Sequence, residues 1–145
     1  MGGYTRSGGL ALAIALASPA HASHLFEGRD LAAGQALYAE ACASCHGADL
    51  EGQPNWQEAG EDGVFPAPPH SVEGHTWHHD TDMLFDYVKL GGTAALDRRG
   101  LKDFASGMPA FADTLSDAQI YDVLAYIRST WGPRQQAFQA ERTPH

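Results

Sequence analysis

Basic residues are scarce in this chain, with nine Lys and Arg against 18 Asp and Glu and a net charge of −9. A surface so weighted repels nucleic acid and anionic lipid, and it favours partners that carry a basic docking patch. Cysteine is scarcer still, with two in 145 residues. A structural zinc site takes four ligands, and the second cysteine pair it would use is missing. No segment alternates apolar and polar residues as a strand does, none repeats and none is of low complexity. Without strands there is no βαβ frame for a thioredoxin-like dithiol. Apolar runs are short as well. A spanning helix needs about 20 apolar residues, and Leu10–Ala17 falls well short.

That short run has another reading. Arg6 precedes it, and Ser18-Pro19-Ala20-His21-Ala22 follows with small residues two apart. A basic start, a brief apolar core and a small-residue site compose a cleavable secretory leader. Residues 1–22 are read as that leader, with the mature chain starting at Ser23; Ala20 ends a second usable site. No cysteine stands at the junction to take a lipid, so the mature chain is expected to be exported, periplasmic and free of a membrane anchor. Losing Arg6 leaves eight basic residues against 18 acidic ones, a net charge of −10. The remaining length suits one domain with one modest core.

Three segments have helical character, and the fold class expected is all-α. Asp30 is a fitting N-cap for Leu31, Gly34, Leu37, Tyr38 and Ala41, which fall at three- and four-residue spacing. Thr81–Leu90 begins with acid and stops at Gly91-Gly92. Ser116-Asp-Ala-Gln119 reads as a capping box ahead of the stripe Ile120, Val123, Leu124 and Ile127, which runs out near Trp131-Gly132-Pro133. Between them, residues 51–79 and 91–114 read as long loops, and the tail 132–145 as polar and frayed. Structureless loops of that length are uncommon unless something functional organises them. A large apolar cofactor would complete so thin a core.

The cysteines say which cofactor. They lie three apart and are followed at once by a histidine, in Ala41-Cys42-Ala43-Ser44-Cys45-His46-Gly47. A disulfide closing so short a loop would add little stability, since that benefit grows with loop length. Two thiols and an imidazole in this order are the attachment signature of a c-type haem. Cys42 and Cys45 would form thioether bonds to the porphyrin, and His46 would be carried beneath the ring to bind iron. One haem c per chain is expected.

With those residues in place, the sequence resembles the class I, small monohaem, cytochrome c family over residues 30–131. "GQALYAEACASCHG" is similar to that family's first helix running into the haem motif, and "LSDAQIYDVLAYI" to its last helix. The resemblance implies a cytochrome c-like fold in which Gly34 and Tyr38 meet Val123 and Tyr126. It implies a methionine ligand from a loop before the last helix, where Met108 stands in "SGMPAF". A histidine among His70, His75, His78 and His79 is the next candidate, and Met83 the last, because it sits on an amphipathic helix where methionine is ordinarily filler. It also implies a proline carbonyl that accepts the second N–H of His46, for which Pro54 is the nearest candidate. Trp77, with Trp56 as rival, would offer its indole N–H to a haem propionate, and Phe111 would pack near the ring. Arg98 and Arg99 are expected to be solvated.

The expected function is a one-electron carrier that is not itself an enzyme, working with redox partner proteins alone or as a subunit of an oxidoreductase. Two alternatives stay open on the residues. "GHTWHHD" puts His75, His78 and His79 beside Asp80, a set suited to copper or zinc and to a metal-responsive module. An open sixth position on the iron would instead suit peroxidase chemistry or gas binding.

Overall fold

The computed structural model describes residues 24–143. Among these residues there are six α-helices, one 3-10 turn and no strand. The segment expected to be a leader, with its cleavage site, lies outside the described residues.

Helix α1 spans Leu31–Ala41, and Asp30 caps it by accepting the Ala33 N–H at 2.9 Å. Its buried residues are Gly34 and Tyr38, one turn apart on the face turned to the last long helix. That helix, numbered α5 in chain order, spans Asp117–Ser129. Its capping box forms in both directions: the Gln119 N–H reaches Ser116 Oγ at 3.3 Å, and the Ser116 N–H reaches Gln119 Oε1 at 2.9 Å. The stripe Ile120, Val123, Leu124 and Ile127 is buried as the spacing predicts. The two helices pack most closely at Gly34, where a Cβ would collide with the Asp122 carbonyl oxygen and stand 3.1 Å from Tyr126 Cβ. Tyr38 shares a buried cluster with Val123 and lies 5.6 Å, ring to ring, from Tyr126. Thus Tyr38 makes the expected contacts, while Gly34 meets Tyr126 and the backbone of Asp122.

Helix α2 is the single turn Ala43–His46, and helix α3 spans Thr81–Leu90 with Asp80 accepting the Met83 N–H at 2.7 Å. Gly91 ends α3 with φ of +82°, and helix α4, Gly92–Arg98, starts at once. The sequence reading placed this segment in a loop. Gly91-Gly92 reads as a stop, and seven residues with Ala95 and Leu96 as the only buried side chains beyond Gly92 are too few to show a stripe.

The tail also differs from expectation: Pro133–Arg142 forms helix α6, with Pro133 in the first turn where its missing N–H costs nothing. Its inner face is polar. Gln139, 1% exposed, donates to Thr81 Oγ1 at 2.8 Å and accepts from Arg128 Nε at 3.3 Å, while the Thr81 N–H reaches Thr143 Oγ1 at 3.2 Å. A helix that docks through amides and hydroxyls leaves no hydrophobic period to read. Phe138 adds an edge contact to Trp77 on the 3-10 turn Thr76–His78, with ring centroids 5.4 Å apart.

Most of the buried apolar residues fall into two clusters. One joins Tyr38, Cys42, Leu50, Val123, Ile127 and Trp131; the other joins Val88, Leu115, Ile120 and Leu124. Leu37 of α1 borders both.

Candidate functional site

The site is built where α1 gives way to α2. Cys42 closes α1 by donating its N–H to Tyr38 O at 2.9 Å, and its own carbonyl accepts from Cys45 and His46 at 3.1 and 2.9 Å. Cys42, Cys45 and His46 therefore share one tight turn. Gly47, at φ +84°, ends that turn, and the Tyr38 hydroxyl fixes its carbonyl at 2.8 Å. The two thiols are free rather than bonded to each other; Cys42 is buried and Cys45 exposed. Burial, and then the neighbouring Cys45, push the Cys42 thiol up to about 11. It stays protonated at neutral pH, unlike the low-pKa thiolate of a redox dithiol.

His46 is buried, and its Nδ1 stands 2.8 Å from the carbonyl oxygen of Pro68. A carbonyl can only accept, so Nδ1 carries the proton and Nε2 keeps a free lone pair. Burial lowers the His46 pKa, partly opposed by the bond to Pro68, so the imidazole is neutral. Two free thiols beside one neutral imidazole with a bare nitrogen are the donor set that a covalent haem requires. The residues present fit that group.

The proline in this place is Pro68, not the expected Pro54. Pro54 is exposed and opens a turn, because the chain from Gln53 to Ala67 closes on itself. The Gln53 N–H bonds Ala67 O at 2.8 Å, and the Ala67 N–H bonds Gln53 Oε1 at 2.9 Å. With Gly52 tied to His46 O at 2.7 Å, that closure brings the residue after Ala67 beneath His46. The adjacent prolines Pro68-Pro69 were the available signal, since proline holds φ near −65° and keeps a strand of loop extended.

His70 follows them and packs on His46, with ring centroids 4.0 Å apart and planes 24° from parallel. Its Nδ1 is 2.8 Å from Thr76 Oγ1, and its carbonyl accepts the Trp131 indole N–H at 2.7 Å. Burial first, then His46 and His75, hold its pKa well below the ordinary imidazole value. Sequence reasoning weighed His70 only as a sixth ligand and missed this contact, along with Pro68 and Thr76.

The remaining expected residues divide between the two clusters. Trp77 packs against the cluster containing Cys42, but its indole N–H is taken up by Val72 O at 3.3 Å and not left for a propionate. Trp56 stacks on His75 at 4.9 Å. Met108 and Phe111 pack against the other cluster, and the loop bearing them is sewn to the end of α3 and the start of α4. Gly92 N–H bonds Met108 O at 3.0 Å, Phe111 N–H bonds Val88 O at 3.0 Å, and Ala112 N–H bonds Lys89 O at 3.1 Å. Phe111 and Leu115 also face Leu37 and Ala41 across an open groove, one wall of which leads directly into Cys42. Met83 lies in the first turn of α3. Arg98 and Arg99 are exposed, as expected, and are also paired: Arg98 with Asp86 at 3.3 Å, Arg99 with Asp80 through bonds of 3.0 and 2.9 Å.

The histidine-rich loop does not gather into a metal site. Among the described residues no group of three or more His, Cys, Asp or Glu side chains is placed to hold an ion. The 3-10 turn sends His78 onto Trp77 at 3.7 Å and Phe138 at 5.1 Å, while His75 stacks on Trp56 at 4.9 Å and meets the His79 ring edge-on at 5.2 Å.

Residues 31–131 match the cytochrome c family, and the chain belongs to it. It is 35% identical to cytochrome c-554(547) of Halothiobacillus neapolitanus, over 68% of this chain and 93% of that protein. It is 30% identical to the gluconate 2-dehydrogenase cytochrome c subunit of Pantoea cypripedii, over 77% of this chain but only 23% of that larger subunit. No solved structure matches it. The fold is thus that of a cytochrome c, its cofactor is a covalently bound haem c, and the protein is a c-type electron carrier. No helix among the described residues is long and apolar enough to cross a membrane.

Proposed function

We propose that this chain carries single electrons in the periplasm, with Cys42 and Cys45 anchoring the haem, His46 as proximal ligand and Met108 as distal ligand. The observation that carries the reading is the 2.8 Å bond from His46 Nδ1–H to Pro68 O beside two free thiols on the same turn. Bound there, haem supplies a ferric–ferrous couple that exchanges one electron at a time. The work of the chain is to hold and tune it. Pro68 fixes the His46 tautomer so that Nε2 would be the ligating atom, and the same hydrogen bond would raise the basicity of the imidazole. Met108 would bring a soft thioether, which raises the potential relative to a second imidazole.

The engagement of the competing histidines supports methionine. His70 stacks on His46 itself and so lies on the proximal side, His75 and His78 pack on tryptophans, and His79 meets the His75 ring edge-on. The three bonds that tie the Met108 loop to the end of α3 and the start of α4 suit a ligand held in a fixed place. The leader motif supports export, and the acidic balance supports partners with a basic docking patch. A dehydrogenase is one fitting partner, since one relative is named as the cytochrome c subunit of such an enzyme. In that setting the chain relays electrons and leaves substrate chemistry to its partner.

The test is the absorption spectrum of the oxidised, haem-loaded mature protein beside Met108→Ala. A weak far-red band that marks sulfur on ferric iron should be present in the wild type and absent from the variant. A wild type without that band overturns the methionine assignment.

A further inference from the structure

We propose that His70 is a positioning residue for His46, its ring acting as a wall that sets the plane of the proximal imidazole. This rests on the reading of His46 as an iron ligand. A hydrogen bond to a carbonyl fixes one edge of the imidazole, yet the angular preference at the oxygen is broad. With Pro68 alone the His46 ring could rock about its N–H···O axis. A second flat ring at 4.0 Å and 24° removes that freedom, because rocking would drive one edge into it.

The wall is itself well supported. The His70 N–H bonds Leu50 O at 2.9 Å and its carbonyl takes the Trp131 indole N–H at 2.7 Å. Thr76 Oγ1 donates to Pro69 O at 3.3 Å and so accepts from His70 Nδ1–H at 2.8 Å, which satisfies a ring nitrogen that burial would otherwise leave bare. Tyr38 meets the same ring edge-on, with centroids 6.3 Å apart and planes at 72°. One rigid tripeptide, Pro68-Pro69-His70, thus supplies both the acceptor and the wall. Two glycines make room for it: a Cβ at Gly52 would strike Pro69 N, and one at Gly74 would strike Pro69 O.

The orientation of an axial imidazole governs how unpaired spin is distributed over a ferric haem. The proton NMR spectrum of the oxidised, haem-loaded mature protein reads this through the spread of the haem methyl resonances. His70→Ala and His70→Gln, which remove the ring, are expected to change that spread. His70→Phe, which keeps a flat ring in the slot, is expected to preserve the wild-type pattern. An unmoved pattern in His70→Ala overturns the proposal, as does a His70→Phe pattern displaced as far as that of His70→Gln. Should the alanine variant fail to fold, the Phe and Gln pair decides alone. A wild type with no hyperfine-shifted His46 ring signals overturns the ligand reading beneath the proposal.

Discussion

At the scale of single residues, the site depends on groups whose value comes from one close neighbour. Gly34 is the clearest, since the α1 backbone can approach Asp122 only without a Cβ. Gly34→Ala gains about 1 kcal/mol of helix propensity but must push the helices apart, at about 1–3 kcal/mol or more. A net loss of stability is expected in guanidinium unfolding of the haem-loaded protein, and an unchanged midpoint would refute close packing there. His79 offers a pH test. Burial, then His75, lower its pKa to about 4, with His78 and Arg142 adding to the shift and Asp80 opposing it. The unfolded chain titrates near 6.5, so it binds the proton first on acidification. The contribution is therefore complete above about pH 6.5 and is lost as pH falls toward about 4. Thermal midpoints of the wild type should fall faster than those of His79→Gln across that window; parallel curves would sink the assignment.

At the scale of elements, α1 and α5 follow from their own caps and stripes, whereas α6 exists through its docking. Its inner residue Gln139 joins the start of α3 to the end of α5 through Thr81 and Arg128. Gln139→Leu would strip partners from buried polar groups, at about 1–3 kcal/mol. Amides of residues 133–142 should then exchange faster in hydrogen-exchange measurements while those of α1 and α5 hold. Uniform acceleration across all helices would show instead that α6 is integral to the global core. The same contrast explains which elements were legible. Gly34, Tyr38 and the Ile120–Ile127 stripe announce themselves at helical spacing, but a helix that docks through Gln139 and Thr143 does not.

At the scale of the whole molecule, the two small apolar clusters lie along α5, which gives Val123 and Ile127 to one and Ile120 and Leu124 to the other, with Leu37 flanking both. A core so small, with long loops around it, is expected to depend on the haem for cooperative folding. The double variant Cys42→Ala, Cys45→Ala, produced in the periplasm without attached haem, is expected to lose cooperative thermal unfolding by circular dichroism. A sharp transition close to that of the haem-loaded protein would show that the polypeptide alone is sufficient. The charge balance acts at this scale too, since net charge governs which partners are steered toward the surface and says little about the fold.

The haem signature Cys42-x-x-Cys45-His46, the all-α class and the three main helices were already written in the order of the residues. Each of these is a local pattern, fixed by the spacing of residues within a turn or two. The pairing of His46 with Pro68 rather than Pro54, the His70 wall beside it, and the dispersal of His75, His78 and His79 onto aromatic neighbours and one another rather than around an ion are tertiary outcomes. Those outcomes depend on where a loop closes, here through Gln53 and Ala67, fourteen residues apart. Hydrogen bonds over such a span select one closure among many, and no short-range period records which.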